Sequence, residues 1–168
     1  PVFSFKIRGA YNKMINLTDT ERRAGVSAVS AGNHAQGVAL SAQKLATSAV
    51  IVMPKTTPSI KVEAVQSYGA KVVLFGDNLA EAAEHCQKLT EESGRTFIHP
   101  YNDPLVIAGQ GTIGKEILEQ LPQVTHVFIP VGGGGLIAGI SGYIKQIAPH
   151  IMVIGVEPED AATLHTSL

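Results

Sequence analysis

The stretch His126-Val-Phe-Ile-Pro-Val131, followed by Gly132-Gly-Gly-Gly135 and Leu136-Ile-Ala-Gly139, shows how this chain is built. An apolar run of strand length enters a glycine-rich turn, and a segment of helical pattern follows. Backbone N–H groups at such a helix start bind anions, and glycine lets the backbone approach them closely. The turn contains no lysine, so backbone donors would hold the anion. We therefore predict a phosphate-binding turn, with a tight packing turn as the alternative.

The same alternation of strand and helix extends along the chain. Six apolar runs of strand length are separated by amphipathic segments of helical length. The predicted strands are Val26–Ser30, Ala49–Met53, Lys71–Phe75, Thr96–His99, His126–Val131 and Met152–Val156. Most runs are continuous, which is typical of parallel strands buried on both faces. The order predicts an α/β fold with right-handed crossovers, with the first four strands in one sheet and the last two in another.

Capping residues predict where several helices begin and end. Threonine, asparagine or aspartate precedes three of the four helical patterns, proline follows two of these residues, and a glycine closes one helix. The predicted helices run from about Phe5 to Ile15, from the Thr57 N-cap with Pro58 as first position to Ser67, from Asn78 with Glu81 to Gly94, and from Asp103-Pro104 to Leu121.

Composition is that of a globular protein. The chain has 168 residues, of which 45% are hydrophobic, and this excludes intrinsic disorder. The net charge is −1, so no basic excess exists to bind nucleic acid. Only 16% of residues are charged, which predicts that a partner subunit or further chain covers part of the surface. We predict a homo-oligomer, part of a longer protein, that acts on a small molecule without nucleic acid or membrane partners.

The single cysteine, Cys86, excludes an internal disulfide and fits a reducing, cytoplasmic location. The longest uncharged stretch runs from Val127 to Ile144 and contains Pro130 and six glycines. A strand-turn-helix unit explains this stretch better than a membrane span. None of the six histidines has metal-ligand spacing with a cysteine or another histidine, and no metal site is predicted.

The glycine turn also fits a rival function. Gly133-x-Gly135-x-x-Ala138 matches the dinucleotide fingerprint, and Glu157 ends the next predicted strand, where a ribose-binding acid would lie. A nicotinamide-dependent reductase is therefore an alternative. A second match, Gly109-Gln-Gly-Thr-Ile-Gly114, lies inside a helical pattern and predicts a glycine-containing helix packed closely on its neighbours.

Lys6 lies between Phe5 and Ile7 at the start of the opening helix. Lysines at helix ends are commonly solvated surface groups, and this interpretation stays open for Lys6. The apolar neighbours could instead desolvate the ammonium group and lower its pKa, as covalent chemistry with a carbonyl group requires.

The segment Ser30-Ala-Gly-Asn-His34 leads from the first predicted strand into a helix. Its small residues leave backbone N–H groups that suit a carboxylate, and the Asn33 amide can bond to a hydroxyl or phenolate. The alternative is an N-cap, in which Ser30 or Asn33 satisfies those N–H groups. His34 is interpreted as a structural histidine.

Three motifs, in one order and at plausible spacing, are together similar to one enzyme family. They are Ser4-Phe-Lys-Ile-Arg-Gly9, Ser30-Ala-Gly-Asn-His-Ala-Gln-Gly37 and Val131-Gly-Gly-Gly-Gly-Leu-Ile-Ala-Gly139. They resemble fold-type II pyridoxal-phosphate enzymes of the threonine dehydratase and serine racemase family. Five segments are most similar to the bacterial biosynthetic threonine dehydratases, namely Pro1-Val-Phe-Ser-Phe-Lys, Ile51-Val-Met-Pro, Thr57-Pro-Ser-Ile-Lys-Val, Gly109-Gln-Gly-Thr and Gly155-Val-Glu-Pro. The resemblance spans the whole chain.

The resemblance implies a role for each motif. Lys6 corresponds to the catalytic lysine that binds pyridoxal 5′-phosphate covalently, and Asn33 to the residue that contacts the cofactor's 3′-oxygen. The loop that binds the substrate carboxylate corresponds to Ser30, Ala31, Gly32, Asn33 and His34. The phosphate cradle corresponds to Gly132, Gly133, Gly134, Gly135 and Leu136.

The resemblance also implies a fold and a reaction. The fold is that of the tryptophan synthase β-subunit, with a parallel sheet, a small open α/β domain and part of a larger α/β domain. Residues 27–103 correspond to the small mobile domain, and residues 1–26 and 104–168 to the larger, cofactor-binding domain. The implied reaction, first in isoleucine biosynthesis, converts L-threonine to 2-oxobutanoate and ammonia, and L-serine to pyruvate.

Two departures bear on the branch of the family. Serine racemases have a serine where this chain has Ala31, and racemisation needs a proton donor on that face of the substrate. Racemases also bind a divalent cation, for which Glu157 and the Ala161 carbonyl match, but Thr163 replaces the second carboxylate. Both departures favour the dehydratases, so serine racemase activity is kept only as the alternative. No metal site is predicted. The family's partner for the cofactor ring nitrogen is expected beyond Leu168.

Overall fold

The computed structural model describes residues 2–167. Pro1 and Leu168, the outer ends of the first and last predicted domain ranges, lie outside the described residues. The chain divides into two compact units, residues 1–99 and 100–168. Each unit is an α/β structure with a parallel sheet, as the sequence predicts.

The first unit contains a four-stranded parallel sheet in the order β3-β2-β1-β4. Val26 lies opposite Ala49 and Val50 opposite Lys71 in adjacent strands. Its elements are α1 (Lys6–Ile15), α2 (Asp19–Ala24), β1 (Val26–Val29), α3 (Asn33–Lys44), β2 (Ala49–Met53), α4 (Ser59–Gln66), β3 (Lys71–Leu74), α5 (Leu79–Ser93) and β4 (Thr96–Phe97).

Helices cover both faces of this sheet. Ile51 and Met53 of β2 belong to a buried apolar cluster shared with α1, α3 and α4. Val52 belongs to another cluster with Ala82 and Cys86 of α5. Successive strand residues point to opposite faces, so the continuous apolar run of β2 is buried on both sides. This confirms, for β2, the prediction of a parallel strand buried on both faces.

The second unit contains two parallel strands, with His126 opposite Met152. Its elements are α6 (Pro104–Gln120), β5 (His126–Pro130), α7 (Gly135–Ile147), β6 (Met152–Val156), a 3₁₀ turn (Glu159–Ala161) and α8 (Thr163–Ser167). Val127 and Ile129 are buried in a cluster to which α6 and α7 contribute. On the other face, Phe128 is 65% exposed and Met152 52%. Within the described residues, β5 and β6 are therefore buried on one face, and their burial on both faces stays a prediction for the longer protein.

Glycines bring the backbones of α6 and α7 together. A β-carbon on Gly111 would lie 3.0 Å from the Gly139 carbonyl oxygen, and one on Gly114 would lie 3.1 Å from the Ile140 oxygen. The segment Gly109–Gly114 is thus part of a closely packed helix, and this prediction is confirmed. No helix among residues 2–167 combines the length and apolar character needed to cross a membrane.

Most predicted element boundaries agree with the structure within two residues. The Asn78 side chain accepts from the Glu81 N–H at 3.0 Å, and Gly94 ends α5 in the left-handed conformation. Asp103 accepts from the N–H groups of Leu105 and Val106 and so begins α6. These side-chain caps confirm two of the predicted helix starts.

The predicted start of α4 is wrong by one residue. Pro58 has ψ 139°, so it occupies the N-cap position and the helix begins at Ser59. The Thr57 hydroxyl does not cap the helix and, among the described residues, has no hydrogen-bond partner. Proline fits either position because neither requires its missing N–H.

The compact units differ from the predicted domains at two places. α1 packs against α3 inside the first unit, and the division falls at residues 99 and 100 rather than 103 and 104. The assignment of residues 1–26 and 104–168 to one larger domain concerns the arrangement in a longer protein, and it stays a prediction.

Candidate active site

Lys6 is the first residue of α1, and a glycine in α3 sets its position. A β-carbon on Gly37 would lie 3.3 Å from the Ile7 Cα and 3.3 Å from the Lys6 carbonyl carbon. Such distances are tighter than ordinary contacts, so the missing side chain allows the first turn of α1 to lie directly on α3. Lys6 is thereby held beside the first turns of α3.

The environment of Lys6 is partly apolar. Its residue is half-buried, and its Nζ lies 5.4 Å from the centroid of the Phe5 ring. Burial lowers the pKa of the Lys6 ammonium, because desolvation disfavours the charged form. This direction agrees with the desolvation expected from its apolar neighbours. It increases the fraction of neutral amine, the form that acts as nucleophile or base.

The loop before α3 leaves the start of that helix without a side-chain cap. Gly32 is the N-cap residue, and α3 begins at Asn33. The Ser30 hydroxyl accepts from the Gly32 N–H at 3.1 Å, within the loop. Neither Ser30 nor Asn33 caps the helix, so the N-cap interpretation is wrong. Ser30, Ala31 and Gly32 are half-buried, and Asn33 is exposed.

His34 is a buried structural residue. It is only 4% exposed, and its Nε2 lies 2.8 Å from the Ile98 carbonyl oxygen. A carbonyl can only accept, so Nε2 carries the hydrogen and Nδ1 is unprotonated. Desolvation lowers the pKa of His34 to about 4. The neutral ring links the start of α3 to the chain just after β4, as expected of a structural histidine, but its Nδ1 is buried and has no hydrogen-bond partner among the described residues.

The glycine loop belongs to the second unit and combines tight packing with open space. Gly134 has φ +83° and is the N-cap of α7, with no side-chain cap. A β-carbon on Gly135 would lie 2.8 Å from the Tyr101 carbonyl oxygen, and one on Gly133 would meet the Tyr101 ring. At Gly132 and Gly134, a β-carbon would meet no atom within 4 Å. Tight packing is therefore confirmed at Gly133 and Gly135, and phosphate binding on the open side, at Gly132 and Gly134, stays a prediction.

A cavity of about 240 Å³ adjoins this loop. It is lined by Val131, Gly132, Gly133, Gly134, Thr163, Leu164 and Ser167. Leu136 lies next to the loop and packs on the apolar cluster of β5 and α7. The open side of the loop therefore has space beside backbone N–H groups at the start of α7, as anion binding requires.

Glu157 is engaged in a structural contact. Its carboxylate accepts from the Leu164 N–H at 2.8 Å, the His165 N–H at 3.0 Å and the Thr163 hydroxyl at 3.3 Å. The two backbone hydrogen bonds are the main reason why the pKa of Glu157 is lowered. The carboxylate caps the first turn of α8, so the acid that the dinucleotide alternative requires already has hydrogen-bond partners.

Comparisons with known proteins identify the family of this chain. The family model described as pyridoxal-phosphate dependent enzyme matches residues 1–168. This chain belongs to that family. A mitochondrial threonine dehydratase of Saccharomyces cerevisiae is 58% identical, and a biosynthetic L-threonine dehydratase of Burkholderia multivorans is 51% identical, each over the whole chain. The chain spans 30% and 34% of their lengths.

Solved structures of this family confirm the fold class. A processed threonine deaminase isoform 2 from Solanum lycopersicum matches with TM-score 0.97 and 57% identity, over 99% of this chain and 48% of that one. A maize serine racemase matches with TM-score 0.89 and 39% identity, over 93% of this chain and 47% of that one. The resemblance to fold-type II pyridoxal-phosphate enzymes is thus confirmed.

One contact of the site and one helix elsewhere in the chain were missed in the sequence. Tyr101 contacts the glycine loop, but no local pattern connects it with residues some thirty positions later. Helix α2 was also missed, although Thr18 and Glu21 form a capping box in the structure. That spacing of threonine and glutamate is a recognised helix start and could have been found.

We expect the stability of the protein to fall in mild acid because of His34. Its pKa is about 4 when folded and near 6.5 when unfolded, so the unfolded chain binds an extra proton between these values. Lowering the pH from 7.5 to 5 should remove about 2 kcal/mol from the free energy of unfolding. His34→Gln retains a side-chain N–H donor but does not titrate. Its free energy of unfolding should therefore lack the fall of about 2 kcal/mol between pH 7.5 and 5. Urea titrations at both pH values would measure it, with exposed His150→Gln as control. The idea fails if His34→Gln keeps the wild-type pH dependence.

Proposed function

We propose that this protein uses pyridoxal phosphate to convert L-threonine to 2-oxobutanoate and ammonia, and L-serine to pyruvate and ammonia. The observation that carries the proposal is the half-buried Lys6 with a lowered pKa beside the uncapped start of α3. It occurs in a chain matched over its whole length by threonine dehydratases and by the pyridoxal-phosphate family.

The residues present fit the cofactor. We propose that Lys6 holds it through Nζ, Asn33 through its exposed side-chain amide, and residues 132–136 through backbone N–H groups. The space at the β-carbon positions of Gly132 and Gly134 supports the last assignment, since a cradle for phosphate must remain open. When bound, pyridoxal phosphate supplies an electron sink that stabilises negative charge at the α-carbon of an amino acid.

The chain's own groups then have distinct tasks. The backbone N–H groups of residues 30–34 bind the substrate carboxylate and orient the α-carbon. Lys6 Nζ, as the neutral amine, takes the proton from that α-carbon. The substrate β-hydroxyl leaves as water by gaining one proton, which balances the proton removed from the α-carbon, and hydrolysis then consumes one water to release the oxo acid and ammonia. The partial burial of Lys6 favours the neutral amine that this proton transfer needs.

Ala31 favours dehydration over the alternative, racemisation. Racemisation must return a proton to the opposite face of the α-carbon, which requires a proton donor on that face. A methyl group cannot donate. The maize serine racemase is also less similar to this chain than the threonine dehydratases are.

The biological setting completes the proposal. The word biosynthetic in the names of several relatives supports a role in amino-acid biosynthesis, as the first step towards isoleucine. We propose a homo-oligomer with a small-molecule substrate. A cytoplasmic location fits the single cysteine, although relatives include mitochondrial and chloroplastic proteins.

Replacing Lys6 tests the central role. Lys6→Ala should lower kcat for L-threonine by about 10²–10⁴-fold or more, since general-base catalysis contributes that much. Lys6→Arg should not restore activity, because a guanidinium stays protonated. Both variants should also lose the covalent attachment of cofactor that borohydride reduction fixes in the wild type. Lys13→Ala, in the same helix, is the matched control. Full activity in Lys6→Ala would remove the central assignment.

A charge at Gly132 tests phosphate binding. Gly132→Asp places an anion in open space beside the loop and should weaken cofactor binding at least about tenfold more than Gly132→Asn does. The Asn variant controls for size, and Gly142→Asp controls for a charge elsewhere on α7. Cofactor dissociation constants from spectroscopic titration would measure the difference, which should shrink at high salt. Equal constants for Gly132→Asp and Gly132→Asn would show that no phosphate lies there.

Replacing Ala31 tests the choice of reaction. The wild type should form 2-oxobutanoate from L-threonine, with little D-serine from L-serine. Ala31→Ser should gain exchange of the α-hydrogen with solvent deuterium, because it adds a hydroxyl on the other face. Ala31→Gly adds none and should not gain exchange. Mass spectrometry and chiral chromatography would measure both outcomes. Substantial D-serine formation by the wild type would reverse the assignment to the dehydratases.

A further inference from the structure

Tyr101 makes the closest contacts to the glycine loop and has no role in the function described so far. A β-carbon on Gly133 would lie 2.6 Å from Cγ and 2.7 Å from Cε1 of the Tyr101 ring. A β-carbon on Gly135 would lie 2.8 Å from the Tyr101 carbonyl oxygen and 2.9 Å from its Cα. The ring therefore covers one glycine and the main chain covers another, with no room for any side chain between them.

The segment that carries Tyr101 is itself held firmly. Asp103, two residues later, accepts from the N–H groups of Leu105 and Val106 and so fixes the start of α6. Further along α6, a β-carbon on Gly111 would lie 3.0 Å from the Gly139 carbonyl oxygen in α7, so the two backbones are in close contact there. Residues later in α6 meet residues later in α7, so the two helices run in the same general direction. The segment before α6 thus lies beside the loop before α7.

Packing of the hydrophobic core does not account for this contact. Tyr101 is 39% exposed, whereas Ile140 in the core of the same unit is 3% exposed. If Tyr101 served only to bury its ring, the loop would not need glycine at both of the positions that Tyr101 contacts, Gly133 and Gly135. The contact instead acts on the part of the loop that controls the direction of the N–H groups at the start of α7.

We propose that Tyr101 is a positioning residue for phosphate binding. Its ring on Gly133 and its main chain on Gly135 hold the loop in the conformation that points backbone N–H groups at the phosphate. Gly132 and Gly134, which contact no atom at their β-carbon positions, stay open to the ligand. The proposal rests on the proposed function, because it assumes that the loop binds the phosphate of pyridoxal phosphate.

Replacement of the ring is the first part of the test. In the full-length protein, Tyr101→Ala should raise the dissociation constant for pyridoxal phosphate at least about tenfold, since loop order would have to be gained on binding. Tyr101→Phe keeps the ring and should remain within about twofold of the wild type. The phosphorus resonance of the bound cofactor should broaden in Tyr101→Ala only. If that variant does not fold, Tyr101→Leu provides the same comparison without a planar ring.

A double-mutant cycle is the second part. Gly133→Ala should weaken cofactor binding in the wild-type background, because its new methyl group meets the ring. The same change should cost much less in the Tyr101→Ala background, since the ring is gone. Gly135→Ala is the matched control: its methyl group meets the main chain of residue 101, so Tyr101→Ala should not rescue it.

The outcomes separate two failures. A wild type that does not bind pyridoxal phosphate would overturn the proposed function. A wild type that binds it, with an unchanged constant in Tyr101→Ala, would overturn only the role of Tyr101. An equal loss in Tyr101→Phe, or no rescue of Gly133→Ala, would overturn the ring contact. A fall in unfolding free energy without a change in cofactor affinity would show that Tyr101 stabilises the unit and does not position the loop.

Discussion

Close approach of backbone to backbone is the constraint on which both groups of candidate residues depend. At Gly37 the first turn of α1 lies on α3, and this places Lys6. At Gly111 and Gly139 the helices α6 and α7 touch without intervening side chains. Interiors are close-packed, so a methyl group at such points forces a shift of whole elements rather than of one side chain. The chemistry-bearing segments are therefore positioned by residues that have no side chain.

The starts of α3 and α7 differ from those of the other helices in what precedes them. Helices α5 and α6 begin with side-chain caps, Asn78 and Asp103, which satisfy their first N–H groups. A missing side-chain cap does not by itself indicate a binding site, because α1 and α4 also lack side-chain caps. What distinguishes α3 and α7 is a loop of small residues that leaves their N–H groups open to an anion. This combination, rather than the missing cap, makes them candidate binding elements.

Local signals in the sequence were sufficient for most of the fold. Apolar runs gave the strands, and side-chain caps gave the starts of α5 and α6, because these features depend on neighbours in the chain. The packing of Tyr101 on the loop was not accessible, since it joins segments distant in sequence. The exposure of Phe128 could not be predicted from the sequence either. An apolar run indicates that a strand face can be buried, but the elements packed beside the strand decide whether it is.

The dinucleotide alternative shows what a glycine pattern encodes. A turn with glycines at these spacings presents N–H groups to a phosphate, and that geometry is the same whichever cofactor carries the phosphate. The residues that distinguish cofactors lie elsewhere. Glu157 would have to bind a ribose, but its oxygens accept hydrogen bonds from the start of α8. Lys6 offers an amine whose pKa is lowered by burial, and the dinucleotide fingerprint does not account for it. Under the proposed function, the loop therefore binds the phosphate, and the lysine distinguishes the two cofactors.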